Sequence, residues 1–263
     1  MPPQAPFFTK LFLYLPITID TNPNTIMDIN SIILNAIDNP ATRVDREQYL
    51  REIMFAYKPN MTQIEQQDFL NNPVRALGIN EINYIADKVI KNSIWKTTGL
   101  SFLAGLPGGV WGIAAAAPDI AQNLCYYIIL SQKLAYLYGV NFYESSVTTD
   151  EYRNSSTLLC LGFMLGVDSV DQLIQKILAS AWQTSGKEVV EFLMKTAGFA
   201  LARKILVTIG EKLTQKGATN VLGKAVPVLG GLLSGGMTFT SFKKAAAEMQ
   251  QKLIKYNEQR PYC

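Results

Sequence analysis

The sequence predicts an all-α fold, a multi-helix bundle with glycine-rich, proline-kinked apolar helices. Three observations carry this prediction. Apolar side chains recur at spacings of three and four residues along most of the 263-residue chain, which places them on one face of a helix. No segment alternates strictly between apolar and polar residues, as a half-buried strand does. Proline and glycine mark the ends of the periodic segments and interrupt the most apolar one, as they do where helices stop or bend.

Four helices are predicted in the first part of the chain. The first spans residues 25–37 and the second residues 44–57, each with apolar residues at helical spacing. A third starts at Thr62, because Glu65 three positions later completes a capping-box pattern. The fourth starts near Asn80 and carries isoleucines on one side.

The second part of the chain predicts longer, more apolar helices. One covers residues 119–138 and stops at Gly139, another covers residues 148–166, and Ser169 is expected to cap the next. The segment 186–217 predicts a central helix, because its apolar positions fall on nearly every side. The last helix aligns six apolar residues on one seam: Phe239, Phe242, Ala246, Met249, Leu253 and Tyr256.

The distribution of charge predicts two domains. Residues 1–78 form a polar N-terminal helical extension, and residues 79–263 form a hydrophobic helical domain. Within the second, residues 186–263 carry 12 basic and 5 acidic side chains, a net charge of +7. Such a surplus suits anionic lipid headgroups, or it forms an ordinary solvated face. Nucleic acid is excluded as a partner because this part has two arginines and no aromatic-basic interleaving.

Composition excludes most enzyme chemistry. The chain has no histidine, which removes Ser-His-Asp and Cys-His catalysis and imidazole metal sites. Its three cysteines are scattered, so neither a disulfide framework nor a metal site with paired cysteines is expected. We therefore expect a non-enzymatic protein of a reducing, cytoplasmic compartment, with no catalytic residue, no metal and no cofactor.

An uncharged stretch covers the 22 residues from Thr97 to Pro118, and Asp119 and Lys133 are the charged residues between positions 97 and 143. A membrane-spanning helix needs about 20 apolar residues. Pro107 and the two glycines after it break this stretch in the middle. It therefore predicts two short apolar helices joined by a turn.

These features mark eleven candidate residues for binding lipid or a partner protein. The glycines recur at four-residue spacing, which permits close helix packing in lipid or in a soluble core, and also marks turns. Asp119 needs backbone N–H groups at the start of its helix, a cation such as Lys133 or Lys224, or water. The candidates are Gly105, Pro107, Gly108, Gly109, Trp111, Asp119, Lys133, Lys224, Gly230, Gly231 and Gly235.

A group of aromatic residues has two open interpretations. Tyrosine rings at a membrane interface place an apolar body in lipid and a hydroxyl in water, whereas tyrosines in a core bury the ring and bond the hydroxyl. Core packing is the favoured interpretation. The group comprises Tyr126, Tyr127, Tyr136, Tyr138, Phe142 and Tyr143.

Several ordered motifs between residues 80 and 256 resemble the bacterial EcsC protein family. The resemblance implies an all-helical, hydrophobic protein at or in the membrane, from a family whose founding member is encoded beside an ABC transporter. It implies no catalytic residues. The motifs are Gly105-Leu-Pro-Gly-Gly, Ala117-Pro-Asp-Ile-Ala, Leu134-Ala-Tyr-Leu-Tyr-Gly139 and Lys224-Ala-Val-Pro-Val-Leu-Gly-Gly231.

The leading functional expectation is a membrane-associated or lipid-binding protein, peripheral to the membrane or inserted in it, whose partner is lipid or a membrane protein. One alternative is a soluble carrier or enzyme whose apolar helices enclose an acyl chain. Another is a pore-forming or antibacterial effector in which the glycine-rich hairpin inserts. All three depend on the uncharged stretch and the basic C-terminal part.

Overall fold

The computed structural model describes residues 29–97, 118–140, 150–173, 196–214 and 239–258. Within these ranges all regular secondary structure is helical, which confirms the all-α prediction. The glycine-rich segments around residues 105–112 and 230–236 lie outside the described residues. The α-helices are α1 (Ile29–Asp38), α2 (Arg46–Tyr57), α3 (Gln63–Asn71), α4 (Pro73–Leu77), α5 (Ile79–Thr97), α6 (Pro118–Leu137), α7 (Asp150–Met164), α8 (Thr196–Thr214) and α9 (Phe239–Glu258).

Side-chain caps start the helices of the N-terminal part. The predicted capping box is confirmed: Thr62 and Glu65 accept hydrogen bonds from each other's backbone N–H groups at the start of α3. The backbone N–H of Thr62 and, as the smaller effect, its hydroxyl both donate to the carboxylate of Glu65 and lower the pKa of that group. Asp45 starts α2 in the same way, by accepting from the N–H of Gln48 at 2.7 Å. Local sequence therefore determines where these helices begin.

Helices α6 and α7 end in the same glycine-based motif. Gly139 and Gly166 have φ angles of 71° and 66°, the left-handed region that favours glycine. One residue later, Val140 donates its N–H to the carbonyl of Ala135, and Val167 donates to Gly162, both at 2.9 Å. Both valines are buried. The predicted stops of these two helices are thus confirmed as Schellman motifs.

The predicted cap at Ser169 is wrong. Residues 168–173 are already helical, because the carbonyl of Val167 accepts from the N–H groups of Val170 (2.8 Å) and Asp171 (3.1 Å). The new helix therefore starts directly after the glycine motif that ends α7, two residues earlier than a serine cap would place it.

The central helix is α6 rather than the segment around α8. Helix α6 packs against α1, α2, α4, α5, α7 and α9, and between Leu124 and Tyr138 only Ile129 and Lys133 are partly exposed. Helix α8 packs against α1 and α7 and leaves Lys204 and Val207 in solvent. The prediction of burial around most of the girth of the 186–217 helix is therefore wrong for its described turns.

Helices from both predicted domains share one hydrophobic core. Ile33 of α1 and Leu50 of α2 are fully buried in the same cluster as Tyr127 of α6. The boundary near residue 78 stays a prediction, but the described helices before it pack into the common core. The apolar seam of α9 joins the same core: Phe242, Ala246, Met249, Leu253 and Tyr256 are buried.

A glycine allows α7 to approach its neighbours closely. A Cβ atom on Gly162 would lie 2.9 Å from Val170 Cγ2 and 3.0 Å from Ile205 Cγ2. Real Cβ atoms are hardly ever found this close to other heavy atoms, and all three residues are in the buried interior. The absence of a side chain at Gly162 therefore sets the distance between α7 and α8.

We expect Gly162→Ala to lower the free energy of unfolding by about 1–3 kcal/mol, the usual cost of overpacking a core. The change also gains up to about 1 kcal/mol of helix propensity, but the two close contacts outweigh this gain. Thermal or urea denaturation checks the result. In a double-mutant cycle with Val170→Ala, which removes the nearest methyl group, the sum of the stability losses of the two single variants should exceed the loss of the double variant. Additive losses, or a Gly162→Ala variant more stable than wild type, would contradict this packing.

Candidate functional site

The structure describes two of the eleven candidate residues. Asp119 and Lys133 both belong to α6, where the side chain of Lys133 is half-buried and only the backbone of Asp119 is described. The other nine lie outside the described residues: Gly105, Pro107, Gly108, Gly109, Trp111, Lys224, Gly230, Gly231 and Gly235.

An ion pair between Asp119 and Lys133 is excluded. Both residues lie in one helix, and their separation of 14 positions in the sequence corresponds to about 21 Å at the helical rise per residue. This is farther than the two side chains reach together. Asp119 is the second residue of α6, where a carboxylate is favoured by the helix dipole and the free N–H groups. Its place at the helix start is as predicted, whereas Lys133 cannot be its cation.

Lys133 instead contacts an aromatic ring of α2. Its ammonium group lies 5.5 Å from the ring centroid of Tyr49, and the ring of Tyr49 lies 6.5 Å from that of Tyr136. Arg46 precedes Tyr49 by three residues, as Lys133 precedes Tyr136, so each helix presents a cation and a tyrosine on the same face. The two pairs form the contact between α2 and α6.

Arg46 in this contact serves a helix end. Its guanidinium donates to the carbonyl of Asn71 at 3.3 Å, the last residue of α3, where a cation is favoured by the helix dipole. The pKa of Arg46 is lowered, because the effect of burial exceeds the opposing effect of the neighbouring Tyr136. Arg46 therefore holds the C-terminal end of α3 against α2.

The tyrosines of α6 belong to the core. Tyr126, Tyr127, Tyr136 and Tyr138 are all buried. Burial raises the pKa of Tyr127 and Tyr138, which keeps their hydroxyls protonated. Burial of the rings in the core is confirmed for these four residues, but the expectation of a bonded hydroxyl is wrong for Tyr127, whose buried hydroxyl has no hydrogen-bond partner among the described residues. Phe142 and Tyr143 lie outside the described residues.

A polar clamp on α6 holds the connector between α1 and α2, and sequence reasoning missed it. Gln132 donates to the carbonyl of Thr42 at 2.7 Å and accepts from the N–H of Val44 at 3.3 Å. Tyr136 donates its hydroxyl to the carbonyl of Val44 at 3.2 Å. Gln132 and Tyr136 are four residues apart and therefore share a helix face. The signal available in the sequence was a glutamine, Gln132, in a predicted helix that has almost no charged residues.

A second set of polar contacts joins α5, α6 and α9. The hydroxyl of Tyr138 donates to Asn83 Oδ1 at 2.7 Å. Gln250 donates to Asp87 Oδ1 at 2.9 Å, and Asn257 donates to the carbonyl of Tyr138 at 3.2 Å. These contacts dock the last helix on the body.

The titratable groups of the described core do not support nucleophilic or metal chemistry. Burial raises the pKa of Cys125 to about 11 and raises that of Cys160 as well, so neither thiol forms the reactive thiolate near neutral pH. Among the described residues, no group of three histidine, cysteine, aspartate or glutamate side chains is placed to hold a metal ion.

The described surface of the C-terminal part presents several lysines to solvent. Lys204 of α8 and Lys243, Lys244 and Lys255 of α9 are exposed. Lys244 lies 3.8 Å from Glu248, whereas Lys243 and Lys255 have no carboxylate within ion-pair distance in the described parts of the chain. This surface can attract an anionic partner.

None of the helices that the structure describes is both long enough and apolar enough to cross a membrane. In α6, the apolar side chains between Leu124 and Leu137 are buried in the protein, apart from that of Ile129. Apart from its two end residues, which close α5 and open α6, the uncharged stretch 97–118 is outside the described residues.

Comparison with known proteins gives no match: no family model, no curated protein and no solved structure matches this chain. The resemblance of residues 80–256 to the EcsC family therefore rests on the motifs quoted above and stays a prediction.

We expect Gln132→Met to lower the free energy of unfolding by about 2–3 kcal/mol, because it removes the partners of two backbone groups beside the core. Tyr136→Phe should cost about 1 kcal/mol, because it removes one such bond and keeps the ring. Urea denaturation measures both. The exposed Gln251→Met on α9 is the matched control and should leave stability within about 0.5 kcal/mol of wild type; equal stabilities for the variants at 132 and 251 would contradict the clamp.

We also expect the two core thiols to be unreactive in the native protein. In the Cys263→Ser variant, a thiol-specific reagent at pH 8 should leave Cys125 and Cys160 unmodified, because burial blocks access and a pKa of about 11 leaves about a thousandth of the Cys125 thiol ionised. Adding denaturant should expose both groups. Rapid labelling without denaturant would show that the interface between α6 and α7 opens.

Proposed function

We propose that this is a non-enzymatic helical protein that attaches to the anionic surface of a membrane through its uncharged, glycine-rich segments and its basic C-terminal part. The observation that carries the proposal is the run of 22 uncharged residues at 97–118 in the same chain as a C-terminal part of net charge +7. Apolar side chains gain about 25 cal/mol for each square ångström removed from water. Each lysine near an anionic surface adds about 1 kcal/mol.

The core accounts for the apolar character of α6 and leaves the uncharged segments as the basis of the proposal. The apolar side chains of α6 pack against the neighbouring helices. Residues 97–118 and the charge-free residues 225–242 are further apolar segments of the sequence. They contain eight of the eleven candidate residues, and a ninth, Lys224, directly precedes the second segment.

The exposed lysines of the C-terminal part provide the electrostatic component. Lys243 and Lys244 directly follow the charge-free residues 225–242, and both side chains are exposed on α9. An apolar segment followed by lysines matches the two forces that act at a membrane surface, burial of apolar area and attraction to anionic lipid.

The motif likeness to EcsC proteins favours the same function. That family is bacterial and hydrophobic, and the likeness links the chain to membrane processes served by an ABC transporter, such as secretion. The family supplies no catalytic residue, which agrees with a proposal that involves no reaction.

Flotation with vesicles tests the proposed function. The full chain should float with phosphatidylserine-containing vesicles at low salt, and less so with pure phosphatidylcholine vesicles, because the lysines contribute only when the lipid is anionic. Protein that stays at the bottom of the gradient with both vesicle types, at low and at physiological salt, would refute the proposal.

Charged substitutions in the uncharged stretch test the apolar component. Val110→Glu combined with Ile113→Glu should lower the bound fraction with both vesicle types, because each glutamate opposes transfer into lipid. The matched control is Phe55→Glu combined with Ile64→Glu, at positions whose side chains are 75% and 77% exposed on the described body. The control should float as wild type does; equal losses in the two variants would show that the stretch is not the attachment segment.

A further inference from the structure

Helices α6 and α9 run in the same direction. The rings of Tyr127 and Phe242 are 5.1 Å apart near the start of α9. Near the end of α9, Asn257 donates to the carbonyl of Tyr138. Both helices therefore begin at one end of the described bundle and finish at the other.

Helix α5 runs in the opposite direction. Asn83, in its second turn, accepts from the hydroxyl of Tyr138 at the finish of α6. Asp87, one turn further, accepts from Gln250 in the middle of α9. Ile90 is still buried, so α5 continues along the body toward the beginnings of α6 and α9.

The direction of the three helices places the described helix ends to which both uncharged segments are joined at one end of the bundle. The stretch 97–118 leaves α5 where that helix finishes and enters α6 where it begins. The charge-free residues 225–242 lead into the beginning of α9. By chain connectivity, the two segments therefore join the described bundle at the same end.

Exposed lysines lie toward this end. Lys91 of α5 and Lys243 and Lys244 of α9 are exposed, and we call the end that they mark the basic end. Lys91 and Lys243 have no carboxylate within ion-pair distance in the described ranges. At the opposite end, Lys58 pairs with Glu81 at 3.2 Å, whereas Lys255 and Arg75 are exposed with no carboxylate within ion-pair distance in the described ranges. Unpaired cations therefore occur at both ends, and the entry points of the uncharged segments distinguish the basic end.

We propose that the basic end is the face that docks on the membrane, with Lys91 and Lys243 against anionic headgroups where the two uncharged segments meet the body. The inference rests on the proposed function and specifies the docking face and its lipid chemistry. Two independent features coincide there: the entry points of the uncharged segments and lysines whose charge is not used within the described protein. The bundle axis is then perpendicular to the membrane surface, and the C-terminal ends of α6 and α9 point away from the membrane.

Single-site fluorescent labels test the orientation. In the Cys263→Ser background, a nitrobenzoxadiazole label is placed by Asn92→Cys or by Asn80→Cys, two exposed positions of α5 about 18 Å apart along the helix. On binding phosphatidylserine-containing vesicles, the label at 92 should shift to shorter wavelength and be quenched by brominated lipid. The label at 80 should change little. Flotation of both labelled proteins with equal or stronger quenching at 80 would overturn the docking face and leave the proposed function standing, whereas absence of flotation would overturn both.

Paired neutralisations test the charges. Lys91→Gln with Lys243→Gln should weaken partitioning onto anionic vesicles about five-fold for each lysine removed. Lys255→Gln with Arg75→Gln removes two exposed cations distant from the basic end and should have a clearly smaller effect. Circular dichroism melting of each variant confirms that it is folded. Equal weakening by both pairs, in proteins that still float, would show that attraction depends on net charge and would overturn the assignment to the basic end.

Discussion

Burial of α6 on nearly all sides is the constraint on which the rest of the structure depends. In a helix surrounded by other helices, polar side-chain groups need partners inside the protein, since an unpaired buried polar group costs more free energy than a hydrogen bond gains. The buried hydroxyl of Tyr127, which has no partner among the described residues, is an exception on this helix. Gln132 and Tyr136 meet this requirement by bonding the connector before α2. Tyr138 meets it by bonding α5. The cation of α6 sits at its partly exposed position 133, over the ring of Tyr49.

The glycines show how one spacing serves two purposes. Gly162 and Gly166 are four residues apart, the interval that also occurs where helices associate in lipid. In the folded protein, Gly162 permits the close approach of Val170 and Ile205, whereas Gly166 adopts the left-handed conformation that ends α7. A four-residue glycine spacing in this chain is therefore compatible with a soluble-type core and a helix stop. It does not by itself favour a membrane.

The apolar character of the chain has two separate uses under the proposed function. The apolar residues of α6 contribute to the core, while the uncharged residues 97–118 and 225–242 would contact lipid. The directions of α5, α6 and α9 connect these uses, because the described helix ends to which both segments are joined lie at one end of the body. Of the candidate residues in the described chain, Asp119 stands at a helix start as its position after Pro118 predicts. Lys133 could be recognised from sequence as an isolated charge, but its ring contact with Tyr49 could not, because that partner is more than 80 residues away.

Local sequence determined the all-helical class, the cap at Thr62, the stops at Gly139 and Gly166 and the apolar seam of α9, because each depends on residues within a few positions of one another. Only the tertiary structure decided that α6, and not the segment around α8, occupies the centre. Periodicity measures how apolar each side of a helix is, but not which neighbours cover it. The clamp by Gln132, the close packing at Gly162 and the shared end of α5, α6 and α9 depend on contacts between residues distant in sequence, which no local pattern encodes.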